Sequence, residues 1–92
     1  MGKYIIELSP VATKELIAHK KSGNKSSISK LEKIFKELST TPYSGTGKPE
    51  ALKHDLTGFW SRRINLKDRL IYKVSEQEVK VLVVSAIGHY EK

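Results

Sequence analysis

The chain has 92 residues, 38% hydrophobic and 29% charged, with a net charge of +7 and no cysteine. This suffices for one domain over residues 1–92 with a single core; it excludes disulfides and thiolate metal sites, and no apolar run approaches the roughly 20 residues of a membrane span. Glu7 and Pro10 interrupt any signal-peptide pattern, so a cytoplasmic protein without membrane attachment is expected, and its positive charge favours a polyanionic partner.

Tyr4-Ile5-Ile6-Glu7-Leu8 reads as a short strand. Ser9 then suits a helix N-cap and Pro10 the first helical position, with the helix running to about Lys21 and stopping at Ser22-Gly23. A second helix is expected from about Ser26 to Leu38, because Ile28, Leu31, Ile34, Phe35 and Leu38 recur at helical spacing and form one apolar stripe. Ser39 to Pro49 is a Ser/Thr/Gly/Pro loop. Beyond it the period becomes that of strands: Gly58 to Ile64, a turn over Asn65 to Asp68, and Arg69 to Val74 with Leu70, Tyr72 and Val74 alternating against Arg69, Ile71 and Lys73. After a turn over Ser75 to Glu78, the β-branched run Val79 to Ile87 reads as a central strand covered on both faces. Leu52–Leu56 could add a short strand. The expected architecture is α+β, β-α-α-β-β-β, a twisted and mainly antiparallel sheet with a helical hairpin on one face.

Polar residues cluster in the second half. Glu50 stands in a stiff Gly/Pro loop beside Lys48 and ahead of Lys53 and His54. Arg62, Arg63 and Arg69 are the cation candidates, since a guanidinium donates paired hydrogen bonds to phosphate and keeps its charge. Arg62 and Arg63 alternate along a strand, so they cannot face the same ligand, and one of them is expected at the outer surface. His89 and Tyr90 follow the last strand; a histidine can give a proton to a leaving oxygen, and a tyrosine can stack on a base. His54 rivals His89 as acid or base, while His19 lies away from the basic segment and reads as incidental. The three histidines show no metal-ligand spacing, and Gly45-Thr46-Gly47-Lys48 lacks the spacing of a phosphate loop. Carboxylate, arginines and histidine together are what metal-free cleavage of an RNA backbone requires.

Three strings, Gly47-Lys48-Pro49-Glu50-Ala51-Leu52-Lys53-His54, Gly58-Phe59-Trp60-Ser61-Arg62-Arg63-Ile64 and Arg69-Leu70-Ile71-Tyr72, closed by Gly88-His89-Tyr90, resemble the YoeB/Txe family of RelE-type toxins. These are the toxin halves of bacterial type II toxin–antitoxin pairs. The resemblance implies a RelE-like fold and a ribosome-dependent endoribonuclease that cuts messenger RNA in the ribosomal A site and so inhibits translation. It gives Glu50 the role of general base, His89 that of general acid, and Arg69 that of stabilising the phosphate. Tyr90 would help hold the substrate, and Lys53, His54 and Arg63 would contact RNA or ribosome. It implies no metal and no other cofactor. It further implies a cognate antitoxin with a DNA-binding N-terminal part and an acidic C-terminal segment laid over the basic face, and it leaves homodimerisation open. Two features depart from the family pattern: Glu91 and Lys92 extend past the usual terminal tyrosine, and Ile87 stands where a basic residue is common. The alternative is an inactive relative that only binds antitoxin or RNA.

Overall fold

The computed structural model describes residues 3–88. Ser9 opens the first helix through its side chain, which accepts a hydrogen bond from Ala12 N at 3.0 Å and donates one to Val84 O at 2.9 Å. The cap therefore also ties the helix to the last strand. Helix α1 runs Pro10–Ser22 and ends where Gly23 takes a left-handed φ of 74°. His19, Lys20 and Lys21 fill its last turn, the end at which the helix dipole favours positive charge. Helix α2 spans Lys25–Leu38, starting slightly earlier than its apolar stripe suggests, because Asn24 is the cap and accepts from Ser27 N at 3.0 Å.

Among the described residues the strands are β1 Ile5–Leu8, β2 Glu50–Ala51, β3 Phe59–Arg63, β4 Arg69–Ser75 and β5 Lys80–Ser85, in sheet order β1-β5-β4-β3-β2. β1 runs parallel to β5 and the other neighbours are antiparallel, which gives the expected β-α-α-β-β-β order and mainly antiparallel sheet. Alternation decides which face is covered. Leu70 and Tyr72 of β4 and Val81 and Val83 of β5 are buried in one cluster with Ala12 of α1 and Leu31, Ile34 and Leu38 of α2.

β5 is neither central nor covered on both faces. β4 holds the middle of the sheet, and Leu82 of β5 remains exposed, because the helical hairpin packs on one face and a β-branched run does not disclose that. β5 is also shorter than Val79 to Ile87. Val79 takes a left-handed φ of 55°, and the amides of Ala86 and Ile87 bond to Glu15 instead of a neighbouring strand. Leu52–Leu56 forms no strand: β2 precedes it, and His54–Leu56 is a turn of 3₁₀ helix.

Beyond α2, the loop over residues 39–49 folds back on the sheet. Tyr43 packs on Trp60 with ring centroids 5.1 Å apart, and its hydroxyl donates to Glu76, which also accepts from the Tyr4 hydroxyl at 2.9 Å. Burial and the Glu76 carboxylate push the Tyr43 hydroxyl up to about 12. No described helix is long and apolar enough to cross a membrane.

Candidate active site

Arg62 and Arg63 leave β3 on opposite faces, as alternation requires. One of them lies at the outer surface as expected: Arg63 is exposed on the open face, and Arg62 is fully buried on the helix side. The Arg62 guanidinium makes hydrogen bonds in every direction its fork allows. Nε donates to the Tyr72 hydroxyl at 3.0 Å, Nη1 to Glu37 Oε1 at 2.7 Å and Thr46 O at 3.2 Å, and Nη2 to Thr41 O and Ser44 O at 2.9 Å each. Glu37 in turn accepts from Thr46 N at 2.7 Å and Thr46 Oγ1 at 2.8 Å. Burial works against its ionised form, but the hydrogen bonds from Thr46 and Arg62 outweigh burial and hold its carboxyl below the usual range. The Tyr72 hydroxyl donates onward to Pro42 O at 2.7 Å. A charged network under the sheet thus fixes the backbone of the loop.

Gly47 brings that loop onto β3. Arg63 N donates to Gly47 O at 2.7 Å, and a Cβ at Gly47 would lie 2.8 Å from Arg63 O at a φ of +86°, so a larger residue does not fit unchanged. Lys48, with a left-handed φ of 52°, then redirects the chain, and Glu50 enters β2 opposite Ser61.

Ser61 pairs on its other side with Ile71, and Arg63 pairs with Arg69. Paired residues share a face, so Glu50, Ser61, Arg63 and Arg69 all belong to the face that the helices leave open. There a cleft of about 410 Å³ is lined by Glu50, Lys53, His54, Ser61 and Arg69 among others. Ser61, nearly inaccessible, forms part of its floor. Arg69 is half-buried, and its backbone N donates to Gly88 O at 2.8 Å, which brings the end of the described chain to the cleft.

The structure thus gathers Glu50, Lys53, His54 and Arg69 in one cleft and sets Arg63 beside Arg69 on the adjoining strand. His89 and Tyr90 lie outside the described residues. Sequence reasoning missed Ser61, which only its pairing with Glu50 reveals. It also took His19 for incidental, whereas that ring is buried with Nε2 2.7 Å from Ala86 O. Chemically, the cleft offers a carboxylate able to accept a proton, flanked by cations able to hold a phosphate.

Residues 12–90 match the family model for the YoeB-like toxin of bacterial type II toxin–antitoxin systems. The chain belongs to that family. Toxin YoeB of Escherichia coli is 44% identical over 63 residues, which cover 68% of this chain and 73% of the relative. Among solved structures, the Staphylococcus aureus YoeB dimer is similar at a TM-score of 0.79 and 32% identity, covering 96% of this YoeB-like chain and 99% of its counterpart. A toxin chain of the heterotetrameric YoeB–YefM toxin–antitoxin complex from the same organism gives 0.77 and 33%, with 95% and 98% covered. This YoeB-like chain is therefore a toxin of the type II toxin–antitoxin class with a RelE-type fold.

Proposed function

We propose that this toxin is a ribosome-dependent endoribonuclease that cleaves messenger RNA in the A site by metal-free acid–base chemistry. Glu50 takes the proton from a ribose 2′-OH, whose oxygen attacks the adjacent phosphorus. The P–O5′ bond breaks, leaving a 2′,3′-cyclic phosphate on one fragment, and His89 gives a proton to the departing 5′-oxygen. Arg69 stabilises the charge that gathers on the phosphoryl oxygens, where preorganised donors contribute most to rate. Lys53, His54 and Arg63 hold the RNA backbone, and Tyr90 holds the substrate near the acid. The observation that carries this reading is the shared cleft of Glu50 and Arg69, with Lys53 and His54 on its wall.

The +7 charge suits ribosomal RNA and an acidic antitoxin segment equally. The Staphylococcus aureus toxin is named in complex with YefM and as a dimer, and we extend to this chain an antitoxin partner and self-association of the same kind.

Primer extension on a defined message in a reconstituted translation reaction tests the proposal. Wild type should cut within the A-site codon only when ribosomes are present, and Glu50→Gln should lose roughly 10²-fold or more in rate, as removal of a general base does. Equal cutting by Glu50→Gln would refute the base assignment. No cutting by a folded wild type would leave an antitoxin-binding module in its place.

A further inference from the structure

The chain leaves the sheet in an unusual way just before His89. Once β5 ends at Ser85, the next three amides have left the sheet ladder and need other partners, although Gly88 O still meets β4 at Arg69 N. They find side chains. Glu15 Oε1 accepts from Ala86 N at 2.6 Å and from Ile87 N at 3.1 Å. One helical turn further along α1, His19 Nε2 lies 2.7 Å from Ala86 O; because a carbonyl only accepts, that nitrogen carries the proton. From the β3–β4 turn, Asp68 Oδ1 accepts from Gly88 N at 2.9 Å, and Gly88 O accepts from Arg69 N at 2.8 Å. Each residue from Ala86 to Gly88 is thus held by its amide N–H, and Ala86 and Gly88 also by their carbonyls.

The holders are themselves fixed. Asp68 and His19 are buried, and Asp68 Oδ2 takes a further bond from Asn65 Nδ2 at 3.2 Å. Burial opposes the Asp68 charge, but the Gly88 and Asn65 donors and the nearby His19 and Lys67 more than offset it, so the carboxylate stays ionised below its usual range. Polar groups from α1 and from the β3–β4 turn converge on three residues whose next neighbour in the chain is His89, and the last of the three is bonded to the amide of Arg69.

We infer that Glu15, His19 and Asp68 are positioning residues that clamp residues 86–88 against Arg69 and thereby deliver His89 to the leaving oxygen, an inference that rests on the cleavage reaction proposed above. None of the three touches the substrate. A general acid must come within hydrogen-bond reach of its target, and a misplacement of about 1 Å can cost about 10²-fold. Removing one clamp should therefore lower kcat roughly 10- to 100-fold while KM stays within about twofold.

The test uses full-length Glu15→Ala, Glu15→Gln and Asp68→Ala toxins, each alone and combined with His89→Gln. Single-turnover cleavage of ribosome-bound message is measured beside the heteronuclear NOE of backbone amides from residue 86 onward. Asp68→Ala and Glu15→Ala should reduce the NOE from their own contact point onward and slow cleavage, and Glu15→Gln, which keeps an acceptor oxygen, should restore both. In the His89→Gln background the alanine changes should cost nothing further, because the group they position is gone. Rate losses that add fully to His89→Gln, or an NOE unchanged by both alanine variants, would overturn the inference. Should wild type and His89→Gln cleave at one rate, the acid assignment fails and the inference with it. If wild type cleaves nothing, the proposed function fails on its own and the NOE alone decides whether the clamp exists.

Discussion

Replacing Arg62 by methionine keeps an unbranched stem about as far as Nε and removes the fork beyond it. The change takes away the partner of Glu37 and leaves the carbonyls of Thr41, Ser44 and Thr46 without their donor. Two groups keep other bonds: Glu37 retains Thr46, and the Tyr72 hydroxyl still donates to Pro42 O. Breaking one side of a buried charge pair typically costs about 3–5 kcal/mol. Because the Glu37 side chain is 25% exposed while that of Arg62 is 0%, water can reach the orphaned carboxylate, and the lower part of that range applies. About 3 kcal/mol in a domain of this size corresponds to a fall in Tm of roughly 12–24 °C. Urea unfolding followed by far-UV circular dichroism, with Trp60 fluorescence as a second probe next to the site, gives the figure directly. Arg62→Lys should fall between wild type and methionine, since an ammonium keeps the charge but cannot span the fork. The double variant with Glu37→Gln should lose less than the sum of the singles. A methionine variant within about 1 kcal/mol of wild type would refute the assignment of Arg62 as the tie between loop and sheet.

Two further outcomes follow from the same geometry. Glu37, Asp68 and Glu76 all have carboxyls held below their usual range, Glu37 and Asp68 by donors that overcome burial and Glu76 chiefly by the Tyr43 and Tyr4 hydroxyls. Their contribution is therefore fully present above the unfolded carboxylate range of about 4 and is lost as pH falls through the lower folded values, so a urea midpoint that stays constant down to pH ~3 would contradict it. Gly47→Ala should destabilise by about 2 kcal/mol or more, from a left-handed φ and a contact with the Arg63 backbone, whereas Gly23→Ala, with open space around it, should cost about 1 kcal/mol; equal losses in thermal melts would show that the close approach of loop to β3 does not matter.

What could be read from the sequence was what rests on neighbours in the chain. Ser9-Pro10, the stripe of α2 and the alternation of β4 are local, and each forms as its pattern demands. Glu50, Lys53 and His54 sit in one continuous string, so their company in the cleft needed little beyond a loop to carry them. Arg69 joins them through pairing that the β3–β4 turn dictates. The rest depends on distant partners. Adjacent arginines look alike in a sequence, and Arg62 is the buried one because Glu37, 25 residues earlier, lies under its strand. His19 has as its partner a backbone carbonyl 67 residues away, an acceptor that every residue type carries and no motif records. For β5, Val and Ile mark a strand well, but they cannot report that one face lacks a second layer.

The distribution of polar contacts explains how so small a domain can hold a cleft open. A core of Leu, Ile and Val fixes the sheet and hence Arg69 and Ser61, but it has no grip on backbone that has left the ladder. Glu50 sits on a strand of just two residues at the sheet edge, reached through a Gly-rich loop, and the described residues beyond β5 meet β4 again at the bond from Arg69 N to Gly88 O. At both places side chains replace the ladder, buried Arg62 and half-buried Glu37 beneath the loop and buried His19 and Asp68 beside the terminal segment. Such groups are expensive to bury unless every bond is made, and among the described residues no buried side-chain polar atom lacks a partner. The two networks reach the cleft one through Gly47 and Arg63 and the other through Gly88 and Arg69, and Arg63 and Arg69 pair across β3 and β4. Each network also touches the hydrophobic core, one at Tyr72 and the other at Ala86, so a change in either shifts groups on the cleft and lowers stability together.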